Sequence, residues 1–231
     1  FFTLAILASL YSIPVFADST RDIFGTWSAV TLSGDFGVLS PEFKKSHWLL
    51  MNQVRTKDDS SKGARFSENL LLAQMGYDLN QYVSVWLGYT HAWIYPLSKP
   101  SFQESRPYQD LLIKFGMFDG KWIGRVRFEQ RIHQDGGKVA PRARQSLKYS
   151  YPLRFLNENL SLYVGDEALF YLQDSSFGNN GFSENRAMAG FSYQITRQVG
   201  TDLGYMGQYV VKKSGQDIFT HNLNLNIRFQ F

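Results

Sequence analysis

The sequence predicts an all-β protein, an antiparallel transmembrane β-barrel of ten or twelve strands, with twelve preferred. Apolar and polar residues alternate in many segments of about ten residues, which is the length of a tilted strand that crosses a bilayer. Short connections alternate with longer polar ones, as in barrels of the bacterial outer membrane. Beyond the first 17 residues, the chain has no apolar run of the roughly 18 residues that a membrane helix needs. These observations favour a sheet with lipid on one face and an enclosed lumen on the other.

The last segment shows the alternation most clearly. Every odd position is apolar and every even position is polar: Leu223, Leu225, Ile227, Phe229 and Phe231 against Asn222, Asn224, Asn226, Arg228 and Gln230. Successive side chains of a strand point to opposite faces, so this segment has one apolar and one polar face. Similar patterns predict nine further strands, at residues 47–56, 66–79, 82–95, 108–118, 122–133, 142–151, 160–172, 182–195 and 199–211.

Residues 26–33 form an eleventh candidate strand. Bacterial barrels have even strand numbers. This segment therefore lies either outside the barrel, which gives ten strands, or in an extra hairpin, which gives twelve. Segment 160–172 has one irregularity, because Asp166 falls on its apolar face. A β-bulge at Gly165 would return this carboxylate to the polar face, and we expect one there.

The N-terminus has the pattern of a secretory signal peptide. Residues 1–16 carry no charge, and Val15, Phe16 and Ala17 form a small-x-small cleavage pattern. We therefore expect removal of residues 1–17 and a single outer-membrane barrel over residues 18–231. A buried N-terminal helix or an anchor is the alternative. No role is assigned to residues 18–46.

The composition excludes several classes of protein. The absence of cysteine excludes a disulfide-stapled fold and a thiolate metal site. The net charge is +4 without a Lys/Arg tract, so nothing supports nucleic-acid binding. Asp58, Asp59 and Asp174 lack the spacing of a calcium loop, and no glycine-rich phosphate motif is present. We expect neither a metal nor a cofactor.

Cations are concentrated on the polar faces of two adjacent predicted strands: Arg125, Arg127, Arg131 and His133 on one, and Arg142, Arg144 and Lys148 on the next. A positively charged lumen would favour anionic solutes, which predicts a narrow passive channel. The same inner face carries Glu68, Asp110, Glu129, Glu167, Glu184 and Asp202. These acids could pair with the cations and plug the interior, which predicts a structural barrel without an open route.

An enzyme is the alternative function. The sequence places His91 near the outer end of a strand, with its side chain toward lipid, where it could act on phospholipid or lipopolysaccharide as a hydrolase or acyltransferase base. A base needs a nucleophile within hydrogen-bond reach, and spacing does not supply one. An interfacial histidine among aromatic residues is the simpler interpretation.

The sequence resembles known outer-membrane proteins in two respects. The terminal Asn224, Asn226, Phe229 and Phe231 resemble the assembly signal of outer-membrane barrels, although Asn226 stands where glycine is usual. This resemblance implies insertion by the barrel assembly machinery into the outer membrane of a Gram-negative bacterium. Residues 22–231 also resemble the outer-membrane family known as domain of unknown function 2490, through residues 22–27, 205–209 and 225–231. That family supplies no assigned activity and no catalytic residues.

Overall fold

The computed structural model describes residues 20–58, 63–97 and 99–231. The predicted signal peptide over residues 1–17 lies outside these ranges. Within these ranges the fold has eleven strands: β1 (Arg21–Asp35), β2 (Ser46–Asp58), β3 (Ala64–Asp78), β4 (Val83–Ile94), β5 (Phe102–Met117), β6 (Gly120–His133), β7 (Ala140–Pro152), β8 (Leu160–Tyr171), β9 (Gly181–Gln194), β10 (Val199–Val210) and β11 (Ile218–Gln230). Among the described residues, no helix has the length and apolarity to cross a membrane.

The strands close into one barrel, which confirms the predicted all-β barrel. Consecutive strands pair antiparallel, and β1 pairs in parallel with β11, from Arg21 opposite Ile218 to Ser33 opposite Gln230. In the described part of the chain the sheet has eleven strands, where the sequence predicted ten or twelve. The even-number expectation assumes that every neighbouring pair is antiparallel, whereas a parallel closing pair allows an odd number. The candidate at residues 26–33 is the central part of β1, and it belongs to the barrel.

The connections divide the barrel into two ends. Those after β2, β4, β6, β8 and β10 lie at one end, called the loop end, and those after β1, β3, β5, β7 and β9 lie at the other, called the turn end. At the turn end, Phe118 and Asp119 join β5 to β6 with φ angles of 56° and 55°, as a two-residue hairpin requires. Two short 3₁₀ helices, Phe36–Val38 and Pro41–Phe43, connect β1 to β2. The N-terminus of β1 lies at the loop end, because Arg21 N donates to Asp217 O at 2.9 Å.

The distribution of polar and apolar side chains is the reverse of that in a soluble barrel. Leu87, Met75 and Leu223 are 67%, 62% and 55% exposed on the outer wall, whereas Glu129 and Arg127 are 1% and 4% exposed in the interior. An exposed apolar outer wall of this kind is typical of barrels whose outside faces lipid. The sheet therefore has the two faces that the period-two pattern predicted.

The predicted bulge at Gly165 is wrong. The register passes through Gly165 without a shift, opposite Lys148 on β7 and opposite Met188 on β9. The irregularities fall instead at Arg55/Thr56 on β2 and at Leu169/Phe170 on β8. Asp166 consequently remains on the outer wall. A hydrogen-bond donor on β9 meets its carboxylate there, so no change of register is needed.

Candidate functional site

The interior of the barrel contains four ion-paired clusters of arginines and carboxylates. Among the described residues, eight arginines and six carboxylates are joined at N···O distances of 2.5–3.1 Å. The arginines are Arg55, Arg106, Arg125, Arg127, Arg131, Arg142, Arg144 and Arg186, and the carboxylates are Glu68, Glu104, Asp110, Glu129, Glu167 and Glu184. They come from strands β2, β3 and β5–β9, and we call them the interior ion network.

Glu167 on β8 lies at the centre of this network. Its carboxylate accepts from Arg125 at 2.5 Å, from Arg144 at 2.8 Å and from Arg186 at 2.9 Å. Arg186 also donates to Glu184 on its own strand at 2.5 Å. Three guanidinium groups around one carboxylate hold its charge in place and fix four neighbouring strands relative to one another.

Further pairs extend the network around the barrel wall. Arg142 and Arg144 both donate to Glu129, at 2.5 and 3.1 Å. Arg127 forms a two-pronged pair with Asp110, both distances being 2.7 Å. The fork of a guanidinium matches the two oxygens of a carboxylate, so this geometry is strong and orientationally specific.

Glu104 was not among the predicted site residues. Its carboxylate accepts from Arg106 at 2.7 Å and from Arg131 at 2.5 Å. The sequence predicts a longer polar connection between two strands at residues 96–107, but β5 begins at Phe102. Pro107 lies within β5, because proline interrupts a hydrogen-bond ladder without ending the strand. The common parity of Glu104, Arg106 and Asp110 was the signal that could have identified them.

Aromatic rings carry the network across the interior. Trp27 on β1 lies 3.5 Å from the guanidinium of Arg55 and 5.0 Å from that of Arg186 on β9. Because β10 and β11 separate β9 from β1 in the wall, this contact spans the interior. The Tyr108 ring lies 3.6 Å from Arg127. It also covers Gly88, where a Cβ would come within 2.1 Å of the ring.

The middle of the barrel is consequently filled with side chains. Glu104 and Glu129 are each 1% exposed, Arg127 and Arg142 are each 4% exposed, and Arg186 is 7% exposed. A side chain lining a water-filled passage stays in contact with water. These values show that water scarcely reaches the network.

The loop after β8 covers the network at the loop end. Phe177 lies 4.0 Å from the guanidinium of Arg131, which donates to the Tyr171 hydroxyl at 2.5 Å. Ser175 is buried, and Lys213 donates to its carbonyl at 3.1 Å. His133 stacks on Phe102 at this end, at a ring separation of 4.9 Å.

Toward the turn end, the interior is less strongly paired. Lys148 faces the Tyr163 ring at 4.0 Å, without an ion pair among the described residues. Asp202 interacts with Arg228 at 3.0 Å and accepts from the Ser192 hydroxyl. The arginines of the predicted cationic stripe therefore form ion pairs with carboxylates, whereas Lys148 forms none among the described residues.

The terminal residues lie on both faces of β11. Asn226 accepts from the Thr31 hydroxyl at 3.0 Å, inside the barrel. Asn224 faces the same side, whereas Phe229 has the parity of the outer wall. The Phe231 ring stacks near Trp48 at a separation of 6.1 Å and is 62% exposed.

His91 points outward near the loop end, within a chain of hydrogen bonds. Its Nε2 lies 2.9 Å from Gln103 Oε1, and its Nδ1 lies 3.4 Å from the Tyr89 hydroxyl. The Tyr89 hydroxyl lies 2.7 Å from Ser105 Oγ. Ser105 is the cross-strand partner of His91. The sequence missed this serine because strand register, rather than spacing along the chain, brings the two together.

A basic patch lies at the loop end near β1, β2 and β11. Burial lowers the pKa of Lys212, and the neighbouring positive charges of Lys57, Lys99 and Arg21 lower it further. Asp217 acts in the opposite direction. The mutual repulsion of these cations would fall if an anion were bound among them.

Comparisons with known proteins identify the family of this chain but no activity. A family described as "Protein of unknown function (DUF2490)" matches residues 24–219. An uncharacterized protein of Methylorubrum extorquens is 26% identical over 166 residues, which are 71% of this chain and 73% of that protein. No solved structure matches the chain significantly. The family match covers most of the chain and confirms the resemblance noted from the sequence. The chain therefore belongs to the DUF2490 family, and it folds as a closed β-barrel.

Proposed function

We propose that this protein is an integral outer-membrane barrel whose interior is closed, so that it serves as a structural barrel and not as an anion channel. The observation that carries the membrane assignment is the apolar outer wall around a charged interior. Lipid on the outside removes the penalty of exposing that wall, and a closed sheet leaves no backbone group unpaired in hydrocarbon.

The interior ion network supports the closed state. An anion channel needs a net positive field along a water-filled path. Here the arginines of the predicted stripe face carboxylates at hydrogen-bond distance, which cancels most of that field. Their burial also supports a closed interior at this level, because side chains that line a path for hydrated ions would be in contact with water.

The orientation follows from the connections. The turn-end connections after β3, β5 and β9 are shorter than every connection at the loop end, although the β1–β2 connection at the turn end is long. Longer connections face the cell exterior in outer-membrane barrels, so we place the loop end outward. The basic patch at that end would then meet the phosphates of lipopolysaccharide or phospholipid. The C-terminal end of β11 lies at the turn end and would then face the periplasm, the side from which the barrel assembly machinery acts.

Planar-bilayer recording tests the closed barrel. The full chain is refolded in detergent, its barrel is verified by heat-modifiable migration in gels, and it is added to bilayers in concentrated KCl. We expect a folded, inserted protein without stable conductance steps. Steady channels with an anion-selective reversal potential would overturn the closed state and restore the channel hypothesis.

A lipid-ester hydrolase is a second candidate, favoured by the chain from Ser105 through Tyr89 to His91. Gln103 Oε1 accepts from His91 Nε2, which leaves Nδ1 free to accept a proton. Ser105 Oγ attacks the ester carbonyl carbon while its proton passes through the Tyr89 hydroxyl to Nδ1. The carbonyl–oxygen bond to the alcohol then breaks, and the alcohol takes that proton. Water releases the acyl group from Ser105 by the same route.

A fluorophosphonate probe tests this candidate directly. The intact barrel in mixed phospholipid micelles should be labelled at Ser105, and the label should disappear in Ser105→Ala and fall strongly in His91→Asn. Ser101→Ala, in the adjacent loop, is the matched control and should retain labelling. An unlabelled wild-type barrel would remove the hydrolase hypothesis.

A further inference from the structure

A carboxylate stands on the outer wall, midway along a strand. Asp166 is the sixth residue from the loop end of β8, and its side chain is exposed. Its neighbours across the sheet are Leu147 and Ala187, both on the apolar wall. The Asn185 amide donates to both carboxylate oxygens at 3.0 Å. This is the carboxylate for which the sequence pattern predicted a bulge.

One amide does not satisfy this group. An ionised carboxylate has about four acceptor sites, and Asn185 offers a single amino group to both oxygens. The remaining sites point away from the barrel, toward the proposed hydrocarbon layer. Ionisable groups at this depth are costly and mark functional contacts. Asp166 therefore needs a further donor from outside the barrel.

A matching donor lies beside it. Gln145 is the sixth residue of β7 from the loop end, and it is exposed on the same wall. Its side chain makes no hydrogen bond within the described ranges. Ala168 separates Gln145 from Asn185 in the sheet. We call Gln145, Asp166 and Asn185, with Ala168 and Ala187, the outer polar patch.

We propose that the outer polar patch is a lateral interface between two copies of this chain, related by a two-fold axis parallel to the barrel axis. Such an axis keeps every residue at its own depth. Gln145 and Asp166 lie at equal distances from the loop end, so the amide of each copy meets the carboxylate of the other. A two-fold interface pairs residues reciprocally in this way. The small side chains of Ala168 and Ala187 let the two walls approach closely.

This inference rests on the proposed membrane location, and cysteine cross-linking tests the two separately. The chain has no cysteine, so each variant carries a single thiol and any cross-link must involve the introduced residue. Ala187→Cys lies in the patch. Ala73→Cys lies on β3, at the opposite wall, and is the matched control because it also replaces an exposed alanine. Both variants are refolded into phosphatidylcholine vesicles and treated with a long homobifunctional maleimide, because residue 187 lies on β9, more than one strand from the proposed axis, and its two copies are too far apart for a disulfide.

We expect an Ala187→Cys dimer in non-reducing gels and a monomer for Ala73→Cys. Protein that fails to float with the vesicles would contradict the membrane location. Protein that floats but stays monomeric as Ala187→Cys, or that links equally through both sites, would overturn the interface alone. A cross-link to a different protein in native membranes, without the dimer, would also overturn it.

A second pair of variants tests the same interface without an introduced cysteine. Asp166→Leu should lower the dimer association constant, measured by energy transfer between labelled copies in vesicles, about tenfold or more. Gln145→Leu should act in the same direction. Asn69→Leu removes an outward polar residue that pairs with Asn52 on the opposite wall, and it should leave association unchanged. Equal effects of Asp166→Leu and Asn69→Leu would contradict the proposal.

Discussion

Arg144 donates to both carboxylate oxygens of Glu167 on the adjacent strand, at 2.8 and 3.1 Å. The same guanidinium donates to Glu129 on the other neighbouring strand at 3.1 Å. One side chain thus ties three consecutive strands together from inside. In a barrel with an apolar exterior, such ties take the place of the hydrophobic core of a soluble protein.

Removing the central carboxylate should destabilise the barrel. Glu167→Gln keeps the shape but leaves Arg125, Arg144 and Arg186 around a neutral amide. Breaking a buried ion pair by removing one partner costs about 3–5 kcal/mol. Urea unfolding in vesicles should show a loss of about this size. Asp135→Asn, whose side chain is 74% exposed in a loop, is the control and should change little. Equal stability of Glu167→Gln and wild type would contradict the role of the network.

The Asp110–Arg127 pair allows a double-mutant test. Asp110→Leu or Arg127→Met alone leaves a buried charge without its partner. Each single variant should therefore destabilise the barrel strongly. Combined, they replace the pair by apolar groups of similar volume, which is often neutral or stabilising. We expect the double variant to be more stable than either single variant in urea unfolding. Additive losses would show that the two side chains do not act as a pair.

Gly88 is required by the ring that covers it. A Cβ at this position would lie 2.1 Å from Tyr108, whereas at Gly124 the nearest atom would be 3.9 Å away. Gly88→Ala should therefore displace the ring from Arg127 and cost about 1–3 kcal/mol of stability. Gly124→Ala is the matched control in the neighbouring part of the sheet. Similar unfolding midpoints for the two variants would contradict this packing.

The loop over the network should be dispensable for closure. Phe177→Ala removes the ring above Arg131 but leaves the ion network beneath it intact. Planar-bilayer recordings of this variant should show no more conductance than wild type. Stable channels in Phe177→Ala would mean that the loop, rather than the network, closes the barrel.

Period-two patterning predicted the barrel and most strand positions because lipid and lumen impose opposite polarity on alternate residues. It predicted the last strand at residues 220–231, close to the observed Ile218–Gln230, and put Glu129 and Glu167 on the charged side. It could not reveal the parallel pairing of β1 with β11, since pairing direction depends on which strands meet. It also left Glu104 and Arg106 in a polar connection, because the predicted strand began only at residue 108.

The sequence also did not predict which side chains of different strands would contact one another. The acids that meet the arginines are set by register, so their spacing along the chain did not reveal whether they would pair. Ser105 was missed for the same reason, as it faces His91 from the next strand. At Asp166 the sequence signal was correct and the expected repair was wrong: the carboxylate does lie on the outer wall, against Asn185.

Depth-resolved quenching along β11 tests the central claim most directly. Single cysteines at residues 222–227 carry a fluorophore, and the refolded barrel in vesicles is exposed to spin-labelled lipids. We predict strong quenching at Leu223, Leu225 and Ile227 and weak quenching at Asn222, Asn224 and Asn226. Absence of lipid quenching at the odd positions, or quenching without a period of two, would contradict a lipid-facing wall around a closed, charged interior.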